Sequence, residues 1–442
     1  MTLALLAFGM VITFMTLIMM RRMAPLTALI LVPIAFGLLG GFAPQLGKMM
    51  LDGVIKLAPT SVMLTFAILY FAIMIDAGLF EPVVTWLVRI VGGDPVQVVV
   101  GTAALALIVS LDGDGSTTYM ITVAAMLPLY RKLGIRPLVL ACVTMMAGGV
   151  MNILPWGGPT ARAAAALAVD AGELFVPMIP AMLVAAAWVL YASYRLGVNE
   201  RTRITTLGMA HFDDETALAD SGHDGVADTR RPKLLWVNAL LTLILMAALV
   251  KGVMPLPILF MIGFALAIMI NYPSVAEQKH LLATHAANAL GVASLIFAAG
   301  IFTGILSGTK MVDAMADSVV HAVPAPLGPY LSIVTGLLSI PFTFFISNDA
   351  FYYGILPILA KAGQVYGFTA AEMGRASLIG QPVHLLSPLV PSTYLLVGLA
   401  GVDFDAHQRF TIKWACLTAL VLLGTGVLTT VIPVVGHLAT SP

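Results

Sequence analysis

Charge is scarce in this sequence: Lys, Arg, Asp and Glu make up only 10% of 442 residues, with 22 basic side chains cancelling 22 acidic ones. There is no basic block interleaved with aromatic residues that would track a phosphate backbone, which excludes a nucleic-acid partner. Cysteine is nearly missing. Cys142 and Cys416 lie far apart in apolar stretches, so a disulfide or thiolate metal framework is excluded and two reduced packing residues are expected. The first 20 residues lack a basic region ahead of their apolar run and a convincing small-residue cleavage site, which makes them a retained span rather than a signal peptide. What the chain has instead is hydrophobicity: 60% of its residues are apolar and its mean hydropathy is +0.99. Such a composition belongs in lipid, as an all-α polytopic membrane protein.

A spanning helix needs about 20 mostly apolar residues. Runs of that kind occur near 2–20, 26–43, 58–77, 95–111, 137–168, 174–192, 234–252, 256–271, 287–306, 328–346, 370–399 and 411–433, which makes roughly twelve passes and part-passes. One long polar stretch, from Arg195 to Lys233, carries HFDDETALADSGHDG and divides the runs into equal sets. It is expected to be a flexible linker, between a first half over 1–194 and a second half over 234–442. With the linker (195–233) in the cytoplasm, alternation assigns a side to every loop. Of the 22 basic residues only Lys48, Lys56, Lys251, Lys310, Lys361 and Arg375 then fall outside, and Arg162 lies within a span. The positive-inside rule therefore favours this orientation, with both chain ends extracytoplasmic. The stretches 44–57 and 272–286 are amphipathic and read as interfacial helices. Asp76, after the apolar FAIMI, is expected at the cytoplasmic end of the third span as a cap or an ion pair with Arg89.

The halves match each other. LPLYRKLG (127–134) and LPILAKAG (356–363) share Leu, Pro, Lys and Gly at an offset of 229, which also lays Pro159 on Pro388 and Asn152 on Gln381. A shift of two residues lays Ser116-Thr117-Thr118 over Ser347-Asn348-Asp349. Chance likeness of apolar helices is the weaker explanation, because the shared residues are mostly Pro, Gly and polar. One half starts outside and the other inside, which implies an inverted-topology repeat with a binding site at the pseudo-two-fold interface near the midplane.

Each half must break its spanning structure twice, at LDGDGSTTY and MNILPWGGPTARAA, then at ISNDAFYYG and QPVHLLSPLVPSTY. Too few residues separate position 95 from Arg131 for two crossings and a loop. This segment reads as a re-entrant helical hairpin with its tip at 112–118, and residues 347–349 as the tip of a second hairpin from the opposite side. The other two stretches are helices broken by proline and glycine. Unwound backbone at membrane depth is tolerated where it is buried in protein or lines a wet cavity, so the tips and breaks are expected to meet around one site. Helix N-termini there suit anionic oxygens, and carbonyls, hydroxyls and carboxylates suit cations.

Asp112 and Asp114 are the most costly residues to place. A charge at membrane depth costs at least about 2.5 kcal/mol and is functional by default. Gly113 and Gly115 let both carboxylates turn toward one point. Such a pair repels a bare polycarboxylate but suits a proton, a metal ion or an anion already chelated to a metal; the plainer account is that the aspartates cap the hairpin helices. Two soluble motifs share this pattern and both fail. A haloacid-dehalogenase-type nucleophile loop needs a soluble α/β domain, and an EF-hand needs Gly and Glu where this chain has Thr117 and Val123. A channel is disfavoured because paired discontinuous helices in a repeat suit alternating access.

FAILYFAIMIDAGLFEPVV (66–84), GDPVQVVVGTAALALIVSLDGDGSTTYMIT (93–122), LPLYRKLGIRP (127–137) and MNILPWGGPTARAA (151–164) resemble the most characteristic segments of the citrate-metal/proton symporter family of the ion transporter superfamily. The resemblance runs from the first span to the last. It implies a secondary active transporter, not an enzyme, in the bacterial cytoplasmic (inner) membrane, importing citrate as a complex with a divalent metal of the Mg²⁺-like or Ca²⁺-like group and coupled to protons. The metal is then part of the substrate and no cofactor is permanently bound. Citrate 3− with a 2+ metal leaves a complex of charge 1−, in keeping with the acidic pair. A proton- or sodium-coupled symporter of free di- or tricarboxylate is the alternative. The superfamily fold is that of the divalent-anion/sodium symporters, which implies a homodimer with a fixed scaffold and a moving transport domain, the elevator arrangement. Their paired Ser-Asn-Thr hairpin motifs are matched by Ser116-Thr117-Thr118 and Ser347-Asn348-Asp349. Thr117 in place of Asn and Asp349 in place of Thr argue against carrying over the sodium sites.

On that resemblance Ser116, Thr117, Thr118, Ser347 and Asn348 are expected to bind citrate carboxylates from the tips, and Asn152, Gly157, Gly158, Thr160, Ser387 and Thr393 to line the broken helices. Asp112, Asp114 and Asp349 are candidates for the metal or the coupled proton. Arg162 is expected to pair with a citrate carboxylate or with a nearby Asp. His384, near a helix break, is a candidate proton carrier or a buried, hydrogen-bonded histidine.

Overall fold

A segment in lipid has no water to satisfy its backbone, so it must close its hydrogen bonds on itself; every regular element among the described residues is helical. The structure is a computed structural model and describes residues 3–20, 22–113, 115–206, 229–322, 324 and 326–437. The first set of helices is α1 (Leu3–Met19), α2 (Pro25–Leu39), α3 (Ala43–Asp76), α4 (Glu81–Ile90), α5 (Pro95–Val109), α6 (Gly115–Lys132), α7 (Pro137–Met151), α8 (Gly158–Leu167) and α9 (Ala171–Thr206). The second is α10 (Leu235–Val250), α11 (Leu256–Asn271), α12 (Val275–Gly308), α13 (Met311–Ala322), α14 (Leu331–Phe345), α15 (Leu356–Val365), α16 (Ala370–Ser377), α17 (Gln381–His384), α18 (Pro391–Ala400) and α19 (Phe404–Leu428). Seven helical stretches among the described residues are long and apolar enough to cross a membrane, and five shorter apolar helices accompany them.

The stretches expected as interfacial helices are something else. Residues 44–57 and 272–286 form the opening parts of α3 and α12, each a continuous helix of 34 residues, or about 51 Å at 1.5 Å per residue. The two run antiparallel, with Met49 beside Gly304 and Gly308, Gly53 beside Gly300, and Ser61 donating to the Ala293 carbonyl at 3.4 Å. Their crossing is made by Gly53 against Gly300 and Gly304, a small-xxx-small spacing that lets backbones touch; a Cβ at Gly53 would fall on the Gly300 carbonyl oxygen. Beyond it, Asp76 pairs with His285 at 2.7 Å, in place of the expected Arg89.

α9 also runs further than expected. It continues to Thr206 through the opening residues of the stretch read as linker, held by the buried Glu200, which accepts from Arg136 Nε at 2.7 Å and pairs with Arg203 at 2.9 Å. Arg201, the residue after Glu200, pairs with Asp94. Residues 207–228 lie outside the described residues. The chain re-enters with Thr229, whose carbonyl accepts from the Tyr272 hydroxyl at 2.8 Å. Cys142 on α7 and Cys416 on α19 are free thiols.

Candidate binding site

A turn joins α5 to α6 at the first of the polar stretches. α5 ends in a tight turn, Ser110–Asp112, and Gly113 then takes φ +77°, a left-handed conformation that turns the chain back into α6. Contacts between the two helices fix the antiparallel course: Thr118 donates to Ser110 Oγ at 3.2 Å near the tip, and the Tyr130 hydroxyl to Thr102 Oγ1 at 3.1 Å near the base. Asp112 is buried on this turn. Ser116 and Thr117 are half-buried in the first turn of α6. Asp114 lies outside the described residues.

The tip rests on the first broken helix. α7 stops at Met151, and α8 restarts at Gly158 with Pro159 in its first turn, where a missing N–H costs nothing. Between them Trp156 donates to the Leu111 carbonyl at 3.0 Å, with its ring over Gly113, where a Cβ would stand 2.5 Å from the indole. Gly157 has no room for a side chain either, since a Cβ there would overlap the Asn152 carbonyl. Thr160 donates to the Ile153 carbonyl at 2.8 Å, tying the restart to the unwound segment.

The second hairpin turns at Ser347, whose Oγ accepts from the Ala350 amide at 3.2 Å, so this residue caps the returning helix. The return begins as a π-helical turn, Ala350–Ile355, that carries the buried Tyr352 and Tyr353; π-turns are frequent at functional sites. Asp349 sits just ahead of it and accepts from Arg162 Nε at 2.6 Å. Its side chain is 12% exposed and that of Arg162 23%. The nearby Asp, one of the two partners expected for Arg162, is therefore in place. Beneath this tip, His384 donates from Nδ1 to the Thr343 carbonyl at 2.6 Å, a buried, hydrogen-bonded imidazole.

The second broken helix stops at His384 and restarts at Pro391. Ser387 Oγ accepts from the Leu389 amide at 3.2 Å, and Thr393 donates to the Leu385 carbonyl. The Thr393 contact resembles that of Thr160, with donors 233 and acceptors 232 residues apart, so downstream of the break the register differs from the 229 relating Asn152 to Gln381. Pro391, 232 residues after Pro159, rather than Pro388, is the proline in the first turn of the restarted helix. The hydroxyls of Thr118, Thr160, Ser347, Ser387 and Thr393 are thereby engaged within the hairpins and breaks they belong to.

One residue joins the parts. Gln381, fully buried, accepts from Asn152 Nδ2 at 3.2 Å, donates to the Tyr352 hydroxyl at 2.8 Å and reaches Asn348 Oδ1 at 3.4 Å. Both breaks and the second tip meet at its amide. On the other side of Asn152, the first tip closes a cavity of about 90 Å³ lined by Ser110, Gly113, Gly115, Thr118, Asn152 and Ser392. The N-termini of α6 and α18 converge on it, with Ser392 Oγ 3.7 Å from where a Cβ of Gly115 would stand, and helix N-termini favour anions.

Gln381, which the repeat offset pairs with Asn152, is absent from the expected site, as are Tyr352, Trp156 and Ser392. An uncharged amide buried between apolar residues and a proline was the available signal. No three His, Cys, Asp or Glu side chains converge as metal ligands among the described residues. Arg162 is the only Lys or Arg in the four polar stretches.

Comparison with known proteins gives a consistent picture. A family model described as citrate transporter matches residues 4–380. A Bacillus subtilis (strain 168) protein named citrate transporter is 58% identical over 420 residues, 95% of this chain and 97% of that protein. A second from the same organism, named Mg(2+)/citrate complex secondary transporter, is 50% identical over 421 residues, 95% of this chain and 96% of its own length. In fold, the chain is similar to the Alcanivorax borkumensis YdaH transporter, with TM-score 0.55 at 14% identity over 89% of this chain and 90% of that one. It is similar also to Neisseria gonorrhoeae MtrF, with TM-score 0.59 at 14% identity over 88% and 83%.

Proposed function

The chain belongs to the citrate transporter family, and from that premise we propose that it imports citrate as a complex with a divalent metal ion, coupled to protons. It is a transporter rather than an enzyme. The observation that carries the metal-complex reading is the charge of the site. The tips and breaks carry one cation, Arg162, paired with Asp349 at the second tip, while Asp112 is buried at the first. One cation against two carboxylates repels free citrate 3− far more than a 1− chelate, whose metal ion offers positive charge to the carboxylates. The name of the Mg(2+)/citrate relative points the same way. The metal enters as part of the substrate, so a protein cage for it is not required.

The architecture we propose is an inverted repeat moving as an elevator, in a homodimer of the inner membrane with the ends of the chain outside. In support, the same succession of helices occurs twice, including the paired 34-residue helices. Ser61 with Ala293, Asn152 with Gln381 and Trp188 with Thr418 are contacts between positions 229 to 232 apart, as expected for residues astride a two-fold axis. α3 and α12 are assigned to the scaffold, and the hairpins with the broken helices to the moving part. Ser116, Thr117 and Asn348 are assigned to the substrate carboxylates from the two tips, with Thr118 and Ser347 shaping those tips. Asn152, Gly157, Gly158, Thr160, Ser387 and Thr393 frame the site. Asp112 and Asp114 are assigned to the metal face of the complex.

The deciding experiment is uptake of radiolabelled citrate into proteoliposomes with an imposed pH gradient, across Mg²⁺, Mn²⁺, Zn²⁺, Ca²⁺ and chelator alone. Uptake that requires a metal supports the complex as substrate, and Asp112→Asn and Asp114→Asn should then abolish or redirect the metal preference. Uptake that persists in chelator refutes it in favour of a free di- or tricarboxylate symporter.

A further inference from the structure

Arg162 is held by only one of its donors. Nε donates to Asp349, and Arg162 makes no other hydrogen bond among the described residues, although its side chain is 23% exposed. Nη1 is folded back over the N-terminus of its own helix, 2.7 Å from where a Cβ of Gly158 would stand. A planar fork with its Nη donors uncommitted is shaped for a carboxylate. The groups facing Asp349 are few. Tyr352 and Tyr353 lie on the adjoining π-turn, and the Tyr353 hydroxyl is buried without a hydrogen-bond partner among the described residues. His384 on α17 has its Nδ1 proton engaged by Thr343. Lys361 on α15 is paired with Asp313 at 3.0 Å. The remaining elements packed on this turn, α1 and the second half of α12, carry no titratable side chain.

We propose that Asp349 is the site of the coupled proton, and that its protonation hands Arg162 over to the arriving anion. The inference rests on the reading of the chain as a carrier of an anionic metal–citrate complex. In the empty site the guanidinium and the carboxylate cancel. A 1− complex that takes Arg162 leaves Asp349 without its counter-ion, beside a second negative charge in a poorly solvated place. A proton taken from the outer solution onto Asp349 removes that conflict, and its loss to the inner solution restores the pair once the substrate has left. The Arg162–Asp349 pair with its complex then comprises one cation, one 1− complex and one neutral acid, the same sum as the empty pair. Empty and fully loaded forms thus carry the same charge, whatever Asp112 and Asp114 add to both, whereas taking up the complex alone or the proton alone changes it by one. One proton therefore accompanies each complex.

The test is calorimetric titration of the whole detergent-solubilised protein with Mg²⁺–citrate, in buffers of different ionisation enthalpy and over a range of pH. The difference between wild type and Asp349→Asn cancels protons exchanged by citrate itself. Wild type is expected to take up about one proton more than the variant, with affinity falling about tenfold per pH unit on the alkaline side, and the variant is expected to lack that slope. Equal proton uptake by the two proteins would overturn the proposal, as would a folded Asn variant that binds nothing at any pH, because that substitution removes Arg162's competitor. If the Asn variant does not fold, Asp349→Glu must keep the proton and move the midpoint of the pH profile; an unmoved midpoint also overturns it. A wild-type protein that binds citrate with no metal tested would be a failure of the functional reading, recognisable as such, and would remove this inference with it.

Discussion

Asn152 and Gln381 permit a quantitative test of whether the two halves of the chain operate as one site. The Gln381 amide is fully buried, accepts from Asn152 at 3.2 Å and donates to Tyr352 at 2.8 Å. Gln381→Ala removes both bonds and leaves the Tyr352 hydroxyl with only a long contact, at 3.4 Å, to the Ser377 carbonyl. A hydrogen bond nets about 0.5–1.5 kcal/mol, and an orphaned buried partner costs about 1–3 kcal/mol, so the local loss is about 3 kcal/mol. Asn152→Ala, at a half-buried position with one such bond, should cost about 1 kcal/mol. Their shared bond predicts that the double variant is less damaged than the sum by about 1 kcal/mol. The assay is Mg²⁺–citrate binding to wild type, both single variants and the double variant, with folded protein confirmed by size-exclusion chromatography. Gln381→Ala should weaken binding about tenfold or more, where tenfold is about 1.4 kcal/mol. Additivity within about 0.3–0.5 kcal/mol would refute the idea that this contact locks the site.

Gly158→Ala separates positioning from folding. Position 158 is the first residue of α8 and the only nearby obstacle to a Cβ is the mobile end of Arg162, so the variant should fold with wild-type yield but bind Mg²⁺–citrate about tenfold more weakly as the guanidinium is displaced, a loss of about 1.5 kcal/mol; unchanged affinity would show that Arg162 is not held by this contact. Gly53→Ala tests the crossing of the long helices: its Cβ meets backbone on α12 that cannot swing away, for a loss of about 1–3 kcal/mol read as a lower thermal midpoint. Gly47→Ala on the same helix, where a Cβ meets nothing, should be neutral or stabilising by up to about 1 kcal/mol, and equal losses at both positions would refute the packing argument.

How much of this was legible in the sequence depended on whether a feature was local. Apolar runs, the glycine–aspartate tip and the proline–glycine breaks each announce themselves within a few residues, because each reflects the local rule that lipid forbids open backbone. Arg162 stood out for the same reason, and an acidic partner was among its expected companions. The continuity of α3 and α12 was hidden, because Lys48, Asp52 and Lys56 give the first half of α3 an amphipathic look while Pro59 suggests a boundary. What keeps that helix whole is the Gly53 approach to Gly300, a contact between distant segments that no local pattern carries. The pairing of Asp76 with His285 is equally non-local. The register of the second break is not legible because Pro388 and Pro391 both suit a helix start, and it takes the observed start of α18 and the hydrogen bond of Thr393 to Leu385 to distinguish them.

The distribution of polar groups also bears on where specificity resides. Hydroxyls are the most numerous polar side chains in the tips and breaks, and they invite a reading as a ring of ligand donors. In the structure Thr118, Thr160, Ser347, Ser387 and Thr393 each bond within their own hairpin or break, which is what unwound backbone at membrane depth requires. Their work is to hold the frame open. Recognition of an anion falls, on the proposed reading, to the guanidinium of Arg162, whose Nη donors are uncommitted, and to the cavity where the starts of α6 and α18 converge. On the proposed reading, a frame of fixed hydroxyls surrounds a few charges whose sum must stay near zero. Selectivity among carboxylates should accordingly follow the net charge of the complex more closely than its number of hydroxyl groups.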